Sequence, residues 1–400
     1  MGYVLKFCGW YPSRIDSLSG DFVQRHAIAI SKHIKTVVLF AQKDPGLKGN
    51  KVEQVVFNNG NLYEYIYYYP KKSWLDKLWS QYYYLRILKS FLPFLIKAHG
   101  KPDFVHVNIV WRAILWALYV NWKFKWPFVI TENSTEYQVN AFENIRKKSS
   151  WRKLITRKAF EKCELFIPVS KQLGETLNEL YGSVPYKVVP NAVDTNLFYY
   201  YNPEGNRPGI PRLLHISTLG YQKNIEGILK VLLRLSKTSL PFEVIMVGPE
   251  LEMVKNFLDK NEILKKCVTI TGPLTYKNVA SLMQTADCLF LFSRYENLPC
   301  VILEAHCCGL PVITTDVGGI PEIITSENGL MLPSEDKEAL FIALINMVEG
   351  KLHFDRQAIA NKAKQLYNYD TVGAMYFEIY KKQFPFISKH DPAYKDVIVL

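Results

Sequence analysis

Residues 293–324 read SRYENLPCVILEAHCCGLPVITTDVGGIPEII. The run CLFLFS (288–293) leads into this stretch and PVITTD (311–316) lies within it. Neither alternates apolar with polar residues, which is the pattern of strands buried on both faces. Between them Pro299 can open a helix at its first position, and 299–308 carries a helical pattern. Strand, loop, helix and strand in that order make a parallel unit with a crossover helix. Glu296 then stands in the loop just ahead of the helix, and Glu304 lies inside it, eight positions later. The free N–H groups of Leu298 to Val301 and the positive end of the helix dipole face that loop. The arrangement suits a diphosphate or a developing oxyanion. Two ionised carboxylates suit the hydroxyls of a ribose or sugar diol. For a glutamate pair taken alone, a solvated charge plus a cap is the competing explanation.

The same alternation runs outward over the whole chain. Strands are predicted at 3–10, 36–41, 52–58, 103–109, 127–133 and 165–170, then at 212–218, 242–248, 267–272, 288–293 and 311–316. Helical patterns separate them, including 21–34, 73–97, 223–236 and 276–285. The turn-rich segment 192–211 reads as an inter-domain linker. The expected fold class is therefore α/β, with two doubly wound Rossmann-like domains, 1–191 and 212–369, facing a central cleft. Such sheets bind ligands at strand carboxyl ends, so the cleft can hold two substrates. No GxGxxG follows the first strand, which argues against a dehydrogenase. Gly20 stands before the first helix, where it serves either as a plain loop glycine or as a point where backbone approaches an anion.

Composition sets further bounds. The chain has 400 residues, 48% hydrophobic and 22% charged, which excludes long disorder and suggests more than one domain. No stretch of 18 uncharged apolar residues occurs, so no transmembrane helix is expected. The opening MGYVLKFCGW lacks the basic and apolar regions of a signal peptide. Seven cysteines without CxxC or zinc spacing read as reduced thiols of a cytoplasmic chain, and no metal site or cofactor is expected. The net charge of +12 is unevenly spread: residues 1–190 hold 28 basic and 14 acidic residues, or +14, and the rest hold 21 and 23, or −2. Its focus is RKKSSWRKLITRKAFEK (146–162). Trp151, Leu154, Ile155, Lys158 and Cys163 trace a mostly apolar helical stripe there, while Arg152, Lys153 and Arg157 fall elsewhere. With Lys147 and Lys148, and with Lys71, Lys72, Trp74, Lys77 and Trp79 nearby, these side chains suggest docking on an anionic membrane or a phosphate-bearing partner. A solvated face of an ordinary helix is the alternative. No nucleic-acid motif is present, so nucleic acid is not an expected partner.

The motif S-x-Y-E-N-L-P-x-x-x-L-E-A-x-x-x-G-x-P-V-I-x-T-x-x-G-G-x-x-E-I-I resembles that of the retaining glycosyltransferases of family 4, also called glycosyl transferases group 1, which have the GT-B fold. Further segments match in family order: VPNAVDTNLF (189–198), LHISTLGYQKNIEGIL (214–229), VIMVGP (244–249), ITGPLTYKNVASLMQTADCLFL (270–291) and ENGLMLPSEDKEAL (327–340). Likeness is weaker in 1–185, although SGDFVQRHA, PDFVHVN and ITEN fit the outline. The resemblance implies that 370–400 holds a C-terminal helix and tail packing back on the N-terminal domain. It implies that Glu304 holds the ribose of a nucleotide-sugar. Glu296 would contact the donor sugar and stabilise the transition state, and Lys223 would neutralise the leaving diphosphate. Asn297, Leu298 and Pro299 would lie beside the donor, and Gly20 would approach its diphosphate from the opposite domain.

Three positions depart from the family. Thr218 stands where an arginine is common, five residues before Lys223, and the H-x-H and T-E-H patterns read His106-Val107-Asn108 and Thr131-Glu132-Asn133. Asn108 and Asn133 can bond a sugar or acceptor hydroxyl but cannot act as acid or base. His106 reads as a buried strand histidine. The expected function is metal-independent transfer of a sugar from a nucleotide-sugar to a glycan, lipid-linked or part of a surface polysaccharide. The setting would be the cytoplasm, peripherally at the inner face of the plasma membrane. A nucleotide-sugar epimerase of the same architecture, or a non-catalytic glycan- or membrane-binding protein, are the rivals.

Overall fold

The computed structural model describes residues 2–71, 76–201 and 209–385. The first domain runs β1 (Val4–Cys8), α1 (Asp21–Ser31), β2 (Thr36–Asp44), β3 (Glu53–Asn59), β4 (Leu62–Pro70), α2 (Asp76–His99), β5 (Phe104–Asn108), α3 (Val110–Phe124), β6 (Phe128–Glu132), α4 (Ser150–Lys162), β7 (Leu165–Pro168) and α5 (Lys171–Tyr181). The second runs β8 (Arg212–Ile216), α6 (Ile225–Leu235), β9 (Glu243–Val247), α7 (Glu252–Asp259), α8 (Glu262–Lys265), β10 (Val268–Ile270), α9 (Tyr276–Thr285), β11 (Cys288–Phe290), α10 (Cys300–Cys307), β12 (Val312–Thr315), β13 (Gly329–Leu332), α11 (Lys337–Val348) and α12 (Arg356–Tyr367). A last helix, α13 (Tyr369–Gln383), follows.

The sheets are ordered β3-β4-β2-β1-β5-β6-β7 and β10-β9-β8-β11-β12-β13. Among the described strands only β3 pairs antiparallel, with β4. The expected α/β class and GT-B architecture are observed. Chain order reverses between β1 and β5 in one sheet and between β8 and β11 in the other, and ligands bind where the connections diverge. Of the runs read as strands, β1, β5, β6 and β12 are fully buried, whereas β3, β8, β9 and β10 are partly exposed. Two strands escaped the sequence reading. In β4, LYEYIYYYP, tyrosines and a glutamate mask the pattern, and the Asn59-Gly60 turn, with Gly60 at φ 61°, was its available signal. The other, β13, has four residues, too few to show a period.

The C-terminal helix returns to the first domain, as expected. α13 crosses α1 so closely that a Cβ on Gly373 would lie 2.1 Å from the carbonyl oxygen of Ala29. Lys32 pairs with Asp370 at 2.8 Å on the rim of this contact. The tail 386–400 and linker residues 202–208 lie outside the described residues. The early part of the segment read as linker is not a free tether: Ala192, Val193 and Phe198 are buried, and Val193 N–H donates to the carbonyl of Tyr367 at 2.8 Å.

Beneath α13 lies a chain of buried polar groups. His106 is the buried strand histidine expected: Tyr380 Oη lies 2.6 Å from its Nδ1, and its Nε2 lies 2.8 Å from Thr131 Oγ1. Lys6, in the centre of β1, is wholly buried, with Nζ 3.5 Å from His106 Nδ1. Tyr376 Oη reaches His26 Nδ1 at 3.3 Å, and His26 Nε2 lies 3.2 Å from the carbonyl oxygen of Pro190. Burial lowers the pKa of Lys6 to about 7 and of His26 to about 3, and depresses His106 well below its usual value.

The basic helix departs from expectation. In α4, Thr156, Ala159 and Phe160 are buried and Ile155 and Cys163 of the apolar stripe pack against the core, whereas its Trp151 and Leu154 are 44% and 52% exposed. Arg152 takes an inner position instead, its guanidinium 4.0 Å from the Trp111 ring centroid and paired with Glu136. Arg152 therefore drops out of the surface set, and Lys148 is half-buried and paired with Glu143. Lys147, Lys153 and Arg157 are exposed, as is Trp79, while Lys72 and Trp74 lie outside the described residues.

Candidate active site

The loop after β11 sits at the switch point of the second sheet. Ser293 accepts at its carbonyl oxygen from Thr315 Oγ1 at 2.8 Å, which fixes the start of the loop. Glu296, 4% exposed, accepts from Ser293 Oγ at 2.8 Å, from Gln222 Nε2 at 3.1 Å and from Lys223 Nζ. Lys223 ends a single tight turn, Tyr221–Lys223, between β8 and α6. Asn224, at φ 51°, then caps α6 by accepting from Gly227 N–H at 3.3 Å. Arg294 N–H donates to the carbonyl of Gln222 at 2.8 Å, and Arg294 Nη1 to that of Tyr221 at 2.7 Å. The loops from the two strands that flank the switch point are thus bound to each other, and Glu296 meets Lys223 where they join. Gly318 permits a third loop to lie across them: its φ is 60°, and a Cβ there would be 2.0 Å from the carbonyl oxygen of Glu296.

The next residues reach the opposite domain. Asn297 Nδ2 donates to the carbonyl of Asn133 at 2.7 Å, and Gln138 Nε2 donates to Asn297 Oδ1 at 2.5 Å. Asn191 Nδ2 donates to the carbonyl of Leu298 at 2.8 Å. Asn133 Nδ2 is spent on Asn191 Oδ1 at 2.7 Å, and its Oδ1 is buried without a partner among the described residues. Asn133 thus braces the cleft through Nδ2 and keeps Oδ1 as an acceptor. Asn108 ends β5 at the other switch point; it is fully buried, and neither amide atom has a partner among the described residues. The preceding glutamate, Glu132, accepts from the backbone N–H groups of Val110, Asn133 and Ser134, each at 2.9 Å. Burial still pushes its pKa up to about 7.

α10 opens after Pro299 with no side-chain cap, leaving its first N–H groups facing the cleft. Glu304 lies one turn further in, away from the Glu296–Lys223 pair. Arg25 of α1 crosses from the other domain to donate through Nη1 to Glu304 Oε1 at 2.6 Å, and its Nη2 lies 3.0 Å from Asp21. Burial raises the pKa of Glu304, and the Arg25 charge opposes that shift. Gly20 begins α1 at φ 73°, where a Cβ would meet the backbone nitrogen of Tyr11 at 2.5 Å, so only glycine fits there. Among the described residues no group of three or more His, Cys, Asp or Glu is placed to hold a metal ion.

Comparison with known proteins fits this geometry. Residues 22–197 match Glycosyltransferase Family 4, and residues 202–366 match Glycosyl transferases group 1. The chain belongs to this glycosyltransferase family. It is 23% identical over 300 residues to the glycogen synthase of Mycobacterium tuberculosis, covering 70% of this chain and 69% of that one. Sucrose-phosphate synthase of Thermosynechococcus elongatus shares the fold with a TM-score of 0.77 at 18% identity, over 96% of this chain and 100% of that one. The Anabaena protein HepE, solved in complex with UDP, gives 0.69 at 16% identity, over 96% and 100%.

Three residues of the glycosyltransferase cleft were missed from sequence: Arg25, Gln138 and Asn191. Arg25 lies in the quoted SGDFVQRHA and Asn191 in VPNAVDTNLF, so position alone was the signal. Gln138 had none, because its partner lies 159 residues away.

Proposed function

We propose that this glycosyltransferase retains anomeric configuration and moves a sugar from a nucleotide-sugar to a glycan, lipid-linked or part of a surface polysaccharide. The observation that carries this is the Glu296–Lys223 pair at the switch point, beside the open N-terminus of α10. A buried carboxylate there can take donor-sugar hydroxyls and face an oxocarbenium-like charge. The lysine, freed from that carboxylate by the donor, meets the leaving diphosphate as a point charge, in place of a metal ion. The α10 N–H groups and the segment Asn297–Pro299 line the diphosphate, with Gly20 approaching from the other side. Glu304 takes the ribose diol once Arg25 yields it.

Incubation with a panel of UDP-, GDP- and ADP-sugars tests the reading, with release of free nucleotide and the anomeric configuration of product followed by chromatography and NMR. Slow donor hydrolysis with retained configuration is expected. A new sugar isomer still attached to its nucleotide indicates an epimerase, and binding without turnover a non-catalytic protein; either overturns the reading. Glu304→Gln is expected to weaken free-nucleotide binding by about 1–3 kcal/mol, measured by calorimetry. Unchanged affinity removes Glu304 from the ribose site.

The protein acts, in this reading, at the cytoplasmic face of a membrane. No described helix is long and apolar enough to cross one. The outer face of α4 presents Lys153, Leu154, Arg157 and Lys158, with Trp151 at its edge and Lys147 just before it, all exposed. Each basic side chain near an anionic surface contributes about 1 kcal/mol. Co-sedimentation with anionic liposomes should fall at high salt and with Lys153→Glu plus Arg157→Glu. Wild-type protein that ignores anionic liposomes at low salt excludes membrane docking.

A further inference from the structure

A second cavity, of about 460 Å³, opens in the first domain away from Glu296. It lies at the carboxyl edge of the sheet, where Lys43 near the end of β2, Tyr69 near the end of β4 and Trp111 after β5 converge. Arg112, Lys148 and Arg152 line it, and among the described residues no Asp or Glu does. Arg112 has no acidic partner among the described residues, whereas Lys148 and Arg152 pair with Glu143 and Glu136.

Four features mark this cavity as built for a ligand. The backbone from the end of β5 into the first turn of α3 is held in costly conformations: Ile109 has φ 62°, ψ 104° and Arg112 φ 71°, ψ −55°, neither being glycine. The break turns Trp111 and Arg112 into the cavity wall instead of a regular first turn. Hydrogen-bonding capacity is left unused there, because Tyr84 Oη and Arg152 Nε are buried without partners among the described residues, and Tyr84 is only 4% exposed. α4 begins at the cavity without a side-chain cap, with Ser149, Trp151 and Arg152 in the wall, so its N-terminus adds a partial positive charge there, whereas the first N–H of α3, that of Val110, is taken by Glu132. Its walls are aromatic: Tyr84, Trp111 and Trp151 line it, the two tryptophan rings 5.5 Å apart. Cations, an open helix end and an unpaired hydroxyl select an anion with several acceptor oxygens, and flat apolar walls select a ring or chain attached to it. The cavity is tied to the active site through Arg152, which holds Glu136, two residues before the Gln138 that bonds Asn297.

We propose that this cavity binds the phosphoryl group of the acceptor, a phosphomonoester or diphosphate carried by a sugar or a lipid. The inference rests on the glycosyltransferase reading above and adds the acceptor's chemical class to it. Because Trp111 and Trp151 line the cavity, their fluorescence reports occupancy. The test titrates the full chain, saturated with the nucleotide identified by the donor panel, with inorganic diphosphate, a hexose 6-phosphate and the unphosphorylated hexose. A parallel arm uses phosphatidylcholine vesicles with and without a phosphorylated isoprenoid lipid. A saturable response to phosphorylated probes and none to the plain hexose is expected, weakened about tenfold or more in Arg112→Gln. Tyr84→Phe provides a second, nearly isosteric variant, and nucleotide binding checks that each variant is folded. A response to the soluble hexose phosphate names a sugar phosphate as the source, and one confined to vesicles names the lipid. Silence toward every phosphorylated probe, or wild-type affinity in both variants, overturns the proposal. Absence of nucleotide-sugar hydrolysis instead overturns the glycosyltransferase reading, so the two failures are distinct.

Discussion

Glu296→Gln is expected to lose about 100-fold or more in kcat while donor affinity changes little, and Lys223→Ala to lose as much. In the free protein Glu296 is held by three donors, one of them cationic. Its position is therefore set before the donor arrives, which is what stabilisation of a developing charge requires. The amide keeps that shape and some of those hydrogen bonds but carries no charge. Lys223→Ala has an added cost, since it leaves a buried carboxylate without its cation; a melting curve run alongside separates stability from catalysis. Because the two side chains act as one unit, the double variant is expected to lose little more than either single one. Steady-state kinetics on the donor identified by the panel decides the matter: wild-type kcat in either single variant removes the pair from the chemistry.

The largest effect on stability is expected at Lys6, far from the chemistry. Its pKa is lowered by burial from 10.5 to about 7. The unfolded chain therefore binds a proton between these values that the folded chain does not, and stability rises with pH across that window. Below about pH 7 both states are protonated, and the cost of burying the ammonium is complete. Lys6→Met removes the titration and keeps the volume. At pH 6 the variant should be more stable than wild type by an amount on the order of 4 kcal/mol, and the gap should close toward pH 10. The groups facing Lys6, namely His106, His26 and Cys8, are uncharged across this range, so none cancels the effect. Urea unfolding at several pH values measures it, and a gap that does not change with pH contradicts the assignment.

Much of the fold was legible because a parallel sheet covered on both faces demands unbroken apolar runs, and this chain has them. Where strands mixed polarity, as in β4, or were too short, as in β13, the pattern had nothing to register. Glu296, Lys223 and the start of α10 could be placed because one continuous motif and one nearby turn define them. The contacts that join the domains could not, since Arg25–Glu304 and Gln138–Asn297 connect residues 279 and 159 positions apart. α4 misled for a physical reason. Arg152 was read among the surface cations, but stacked on Trp111 and neutralised by Glu136 it takes an inner position while Trp151 and Leu154 stay exposed. Asn133 was read as a contact for substrate because its type allows it; its Nδ2 is bonded to Asn191, a contact the sequence did not signal, and its Oδ1 is left as an acceptor.

Arg25 has a kinetic consequence. It reaches from one domain to a carboxylate in the other, and that carboxylate is the one proposed for the ribose. Ligand entry and domain closure then compete for a single acceptor. In that reading an unoccupied cleft is latched by Arg25, and a nucleotide that takes both carboxylate oxygens must displace the guanidinium from Oε1. Under that rule the association rate follows how often the latch lifts rather than diffusion, and measured affinity falls short of intrinsic affinity by the fraction of molecules that are unlatched. The evicted arginine keeps Asp21 at 3.0 Å, so its charge stays matched throughout, and the latch is ready to re-form when the spent nucleotide leaves.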